Sequence, residues 1–126
     1  MDVFLKVVQV LLALHTAMGA AWKFTTPVTA VPSLAALTQG GWVGFGAVEL
    51  LLAVGLVLPA RSPALARAAP LAAAGVAAEM LLFVAVSVAS GAAHAGELGY
   101  WLVVAAICGF VAWGRVHRAP AAASAP

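Results

Sequence analysis

Residues 44–56 read GFGAVELLLAVGL, so Glu49 is a single acid inside an otherwise apolar run. A second acid, Glu79, interrupts the apolar run of residues 71–89. The chain has only four acidic residues, and two of them therefore lie in segments that disfavour charge. A carboxyl group at membrane depth is costly unless it is paired, protonated or hydrated, so such residues are candidates for a functional site.

The composition is that of an integral membrane protein. Of the 126 residues, 65% are hydrophobic and only 8% are charged, whereas soluble domains usually carry about 25% charged residues. Because so few charges cannot cover a surface in water, the sequence predicts a lipid bilayer as the surrounding medium. The basic residues form no clustered face, so no nucleic-acid partner is expected.

Four apolar segments are long enough to cross a bilayer as helices, since a crossing takes about 20 residues. The predicted spans are about residues 3–22, 42–58, 70–90 and 98–113. Lipid requires every backbone group to be satisfied within the segment, so we predict an all-α fold, a four-transmembrane-helix bundle, for residues 1–118. Within the connection 23–41, residues 32–38 are predicted to form one or two helical turns. Residues 119–126 are rich in Ala, Pro and Ser and are predicted to be a disordered tail.

The distribution of basic residues predicts the orientation. With four spans, the N-terminus, the second loop and the C-terminus share one side, and that side carries five basic residues against one, Lys23, on the other. The positive-inside rule then gives N-in/C-in, in a multi-pass protein of the cytoplasmic membrane. Aromatic residues near the span ends are predicted to form interfacial belts: Trp22, Trp42, Tyr100, Trp101 and Trp113.

Three titratable residues on three helices are predicted to lie at similar depth. At about 1.5 Å per residue, His15 lies about 18 Å, Glu49 about 20 Å and Glu79 about 14 Å from the inner surface. If their faces converge, they form a proton-carrying or ligand-binding centre; the alternative is an interhelical hydrogen-bond clamp. Lys23, at the outer end of the first helix, either supports that centre or extends to the interface.

His94 and Glu97 lie together at the outer mouth of the bundle. They are a second candidate site, and a solvated loop is the alternative. A metal site would need a third ligand, and none is nearby in sequence, so no metal is predicted.

Residues 46–59, GAVELLLAVGLVLP, resemble the glutamate-bearing second helix of the DoxX-like family of small four-helix membrane proteins, which ends in Gly-Leu-x-Leu-Pro. Lys23 resembles the lysine that closes the family's first helix, and His94 its histidine beyond the third. Two positions depart from the pattern: Ala20 stands where a glycine is usual, and Glu79 where a non-ionised residue is expected. The resemblance covers roughly residues 8–114.

The resemblance implies a redox-associated membrane subunit, because the family takes its name from a subunit of a thiosulfate:quinone oxidoreductase. The leading hypothesis is therefore a subunit that binds quinone or another lipid-like molecule, with Glu49 as the main contact and Glu79, His15 and Lys23 in support. Two alternatives stay open: a proton-coupled small-molecule transporter, and a non-catalytic assembly or chaperone subunit. Partner subunits, a homo-oligomer and any enzymatic activity are left open as well.

Overall fold

The computed structural model describes residues 2–58 and 63–123, and all of their regular structure is helical. The four helices are α1 (Asp2–Thr25), α2 (Thr38–Val57), α3 (Ala68–Ser90) and α4 (Ala95–Ala123). Short 3₁₀ segments, at Val28–Ala30, Pro32–Leu37 and Pro63–Leu65, lie between them. Each predicted span corresponds to one helix, and each helix is long and apolar enough to cross a membrane. The prediction of an all-α, four-helix fold is therefore confirmed.

Local sequence explains where the helices end. The residue before a proline is disfavoured in helical conformation, and α1 ends just before Thr26-Pro27. Helix α3 ends at Gly91, which has a φ of 74°, a left-handed conformation that glycine adopts without a Cβ penalty. The predicted helical turns near residue 32 are the 3₁₀ segment Pro32–Leu37. This segment packs against α3 and α2, at the end of the bundle where α1 ends and α2 begins.

Helix α4 is longer than the sequence predicted. It continues to Ala123, so residues 119–123, predicted to belong to a disordered tail, are helical. Four of these five residues are alanine, which has the highest helix propensity, whereas Pro120 opposes the helix because it cannot donate a backbone hydrogen bond. Residues 124–126 lie outside the described part of the chain, as does Arg61, one of the basic residues used to predict the orientation.

The helices pack in an up-down-up-down order. The pairs α1–α2 and α3–α4 have the most extensive contacts, α2–α3 joins these pairs, and among neighbouring helices α1–α4 has the least contact. Small residues allow the close approach: a Cβ on Gly55 would lie 3.0 Å from the Cβ of Ala72. Small residues are typical of helix interfaces in membranes, where close packing takes the place of the hydrophobic effect.

The outward-facing side chains are large and apolar. Val3, Leu51 and Leu71 expose 73%, 72% and 71% of their surface. An apolar surface this extensive is unfavourable in water and is suited to lipid. The polar side chains discussed below lie between the helices instead.

Candidate functional site

A buried ion pair joins the first two helices. Lys23 Nζ lies 2.7 Å from Glu49 Oε1, and the two residues are only 5% and 3% exposed. Two glycines make room for it, because a Cβ on Gly19 would lie 3.3 Å from Glu49 Oε2 and one on Gly46 would lie 3.2 Å from the Cβ of Lys23. Lys23 therefore extends into the bundle rather than toward the interface.

Aromatic rings surround the ammonium group of Lys23. Its Nζ lies 4.9 Å from the ring centroid of Trp42 and 5.2 Å from that of Phe83. Cation–π attraction at such distances stabilises a desolvated ammonium. Trp42 is held in place by a 2.8 Å hydrogen bond from its Nε1 to the carbonyl oxygen of Thr26. It is 1% exposed, and Trp101 is 7% exposed, so the prediction that these two tryptophans form interfacial belts is wrong. They face the interior because the rotation of a helix about its axis, and not the depth of a residue along it, decides which way the side chain points.

Glu79 lies beside this pair. It is 4% exposed, and its carboxyl group interacts electrostatically with both Glu49 and Lys23. No described donor bonds to either of its carboxyl oxygens or to Glu49 Oε2, and the two carboxyl groups are close enough to form a hydrogen bond if one of them is protonated. Buried polar atoms are nearly always hydrogen-bonded. Two acids and one lysine thus leave acceptor positions for a proton or for a donor on a bound molecule.

The ion pair forms part of the wall of a cavity of about 220 Å³ between the four helices. An apolar cavity of about 150 Å³ is large enough for benzene, so this one has room for a substituted ring. Its wall is mainly aromatic and aliphatic, with a few polar groups, and is formed by His15, Thr16, Gly19, Trp22, Lys23, Val31, Leu34, Trp42, Glu49, Val76, Met80, Phe83, Glu97, Tyr100, Trp101 and Val104.

His15 lines the same cavity from α1, but its hydrogen-bond partner is on α4. Its Nε2 is hydrogen-bonded to the hydroxyl of Tyr100, and the two ring centroids are 5.6 Å apart. The structure therefore brings His15, Glu49 and Lys23 to one cavity, with Glu79 beside the ion pair. The sequence did not identify Tyr100 as the partner of His15.

The two residues predicted at the outer mouth have different surroundings. Glu97 Oε2 accepts a 2.8 Å hydrogen bond from the hydroxyl of Ser33 and lines the cavity. His94 is exposed, and its carbonyl oxygen accepts a hydrogen bond from the backbone of Leu98. Among residues 2–58 and 63–123, no three His, Cys, Asp or Glu side chains are grouped to hold a metal ion.

A separate polar contact, at the opposite end of the bundle from the 3₁₀ segment Pro32–Leu37, was not predicted. The amide nitrogen of Gln9 donates a hydrogen bond to the carbonyl oxygen of Leu56, and Arg115 Nε donates one of 2.6 Å to Gln9 Oε1. Gln9 is 7% exposed. An amide inside the apolar run of the first span was the available signal, because a polar side chain at membrane depth needs a partner.

Comparison with known proteins identifies no relative of the chain. No known family matches the chain, and neither a curated protein nor a solved structure matches it.

Proposed function

We propose that the chain is a DoxX-like membrane subunit that binds a quinone, or a lipid-like molecule with a similar ring, in the cavity between its four helices. The observation that carries the proposal is the Lys23–Glu49 ion pair, buried in the wall of a largely aromatic cavity. Such pockets, apolar with a few convergent polar groups, are typical ligand sites. The family name rests on the sequence resemblance alone.

The chemistry of the wall suits a quinone ring. A quinone presents a flat apolar face and carbonyl oxygens at its edge. Trp42, Phe83 and Trp101 offer ring faces and edges to stack on, and the ammonium group of Lys23 is a hydrogen-bond donor for a carbonyl oxygen. The free Oε2 of Glu49, a residue of the cavity wall, suits a hydroxyl group of the reduced form. Electrons for a reduction would have to come from a redox partner subunit.

Tryptophan fluorescence tests this function directly. Of the four tryptophans, Trp22, Trp42 and Trp101 line the cavity, whereas Trp113 does not. A tail-less benzoquinone should therefore quench the purified protein in nanodiscs saturably, and Trp113→Phe should keep that saturable component. Lys23→Met should remove it, because the carbonyl donor is lost. Quenching that rises linearly with benzoquinone concentration, and equally in Trp113→Phe and Lys23→Met, would contradict the proposal.

We also propose insertion in the cytoplasmic membrane with both termini inside. The basis is the excess of basic residues on the side of the loop between α2 and α3. Ala66 and Ala36 are both exposed, and they lie on opposite sides in this orientation. With the buried Cys108 replaced by alanine, Ala66→Cys should react with an impermeant maleimide only in inverted vesicles and Ala36→Cys only in intact cells. The reverse pattern would invert the orientation.

The position of Glu79 beside Glu49 and Lys23 favours a second candidate, a proton-coupled transporter of small molecules. Two buried acids near one lysine can hold a proton that a substrate displaces. Proteoliposomes with an imposed pH gradient separate the two functions: substrate-dependent proton flux that is lost in Glu79→Gln would select transport. Stable co-purification with a partner protein, without quenching or flux, would select an assembly subunit instead.

A further inference from the structure

A second, larger depression lies on the lipid-facing side of the bundle, between α1 and α4. It encloses about 690 Å³, and all but one of its lining residues are apolar: Phe4, Val8, Leu11, Leu12, His15, Val103, Val104, Ala106, Ile107 and Phe110. We call it the α1–α4 groove. It exists because these two helices have the least contact of the adjacent pairs.

The groove is bounded at both ends by ring contacts. At the inner end, the rings of Phe4 and Phe110 meet edge to face with centroids 6.0 Å apart. At the other end, His15 is in contact with Tyr100. The eleven positions from residue 4 to residue 15 correspond to about 16 Å along α1. The groove is therefore long and apolar, with its one polar side chain at the mid-membrane end.

The groove and the central cavity share part of their walls. His15 and Val104 line both of them. The two spaces therefore adjoin at these two residues, and an apolar chain leading from the cavity to the groove would pass beside His15 without crossing a helix.

We propose that the α1–α4 groove holds the apolar tail of the molecule whose ring occupies the cavity, and that this molecule reaches the site sideways from the bilayer. The ligand class is a ring with carbonyl groups and a single long hydrocarbon or isoprenoid chain. This inference rests on the proposed function and specifies its ligand.

The polarity of the groove distinguishes this occupant from an ordinary phospholipid. A phospholipid of the inner leaflet has its headgroup at the membrane surface and its chain ends at mid-depth. The groove has the opposite arrangement, since Phe4 and Phe110 lie at its surface end and His15 at its mid-membrane end. A molecule whose ring lies beside Lys23 and Glu49 has its polar end at mid-membrane depth, and its chain runs from there toward the membrane surface, as the groove does.

Filling the groove should affect a tailed ligand and spare a tail-less one. The probes are a benzoquinone without a tail and the same ring carrying a decyl chain, with concentrations expressed as mole fractions in the nanodisc lipid. Ala106→Phe places a ring in the groove, and Ala47→Phe is the matched control, because Ala47 is exposed on α2 outside the groove. Phenylalanine does not disturb the tryptophan signal.

In Ala106→Phe, we expect the dissociation constant of the decyl probe to rise about tenfold, as for an added side chain in a filled site. The tail-less probe should bind as it does to the wild type, and Ala47→Phe should leave both probes unchanged. Val103→Phe, which fills the same groove, serves in place of Ala106→Phe if that variant does not fold.

Three results would overturn the inference. If the tail-less probe binds normally and groove filling leaves the decyl probe unaffected, the tail lies elsewhere and the proposed function stands. If groove filling converts a dimer to a monomer while both probes bind as before, the groove is an interface between copies of the chain. If the tail-less probe does not bind the wild type at all, the proposed function and the groove assignment both fail.

Discussion

Replacing both buried acids, in the variant Glu49→Leu with Glu79→Leu, should lower the free energy of unfolding by about 3–5 kcal/mol, the usual cost of leaving a buried charge without its partner. Lys23 is 5% exposed and contacts Glu49 at 2.7 Å. Glu79 is the nearby acid able to replace Glu49, so the full cost appears only when both are removed. Reversible unfolding in mixed micelles, followed by tryptophan fluorescence, measures the loss.

A third substitution separates stability from function. Adding Lys23→Met should recover most of the lost stability, because apolar side chains of similar volume often replace a buried ion pair at little cost. The triple variant should nevertheless fail to bind quinone. A triple variant less stable than the double one would show that Lys23 carries no uncompensated charge.

Among single variants, Glu49→Gln should have a higher free energy of unfolding than Glu49→Leu, since the amide oxygen still accepts a hydrogen bond from Lys23.

Gly46→Leu should separate α1 from α2 and disrupt the ion pair. A Cβ at this position would lie 3.2 Å from the Cβ of Lys23 and 3.4 Å from the carbonyl oxygen of Ala20. A leucine therefore has to displace the backbone of α1, at a cost of about 1–3 kcal/mol. Because Lys23 moves with α1, quinone binding should be lost as well. Unfolding and saturable quenching are measured on the same samples.

Gly44→Leu is the matched control on the same helix. A Cβ on Gly44 would meet no atom within 4 Å, so the leucine would face outward. It should be neutral or stabilising, since leucine exceeds glycine in helix propensity by up to about 1 kcal/mol. Equal losses in the two variants would mean that the close approach at Gly46 does not hold Lys23 in place.

The fold was predictable from the sequence because its strongest signals are local. Apolar runs of sufficient length predicted four helices, and breakers such as Pro27 and Gly91 lie close to the observed helix ends. Rise per residue also predicted the similar depth of Glu49 and Glu79. Their electrostatic interaction in the structure agrees with that estimate, whereas their functional role stays a prediction.

The side-chain partners were less predictable, because depth along a helix does not give its rotation. Tyr100 and Trp101 are adjacent in sequence, yet Tyr100 is 51% and Trp101 7% exposed. Depth estimated from Cα positions also placed Lys23 at the outer end, whereas its long, flexible stem carries the charge to Glu49. The bond from Ser33 to Glu97 joins residues 64 positions apart, a separation at which no local pattern predicts pairing.

The contacts at the two ends of the bundle have a consequence for biosynthesis. The Lys23–Glu49 pair and the Trp42–Thr26 bond lie within the first half of the chain, so they can form while the ribosome is still adding the second half. The Gln9–Arg115 and Ser33–Glu97 bonds both need α4, which is synthesised last. A nascent chain can therefore form the Lys23–Glu49 pair early, whereas the bonds that tie α4 to the rest of the bundle form only when that final helix has been made.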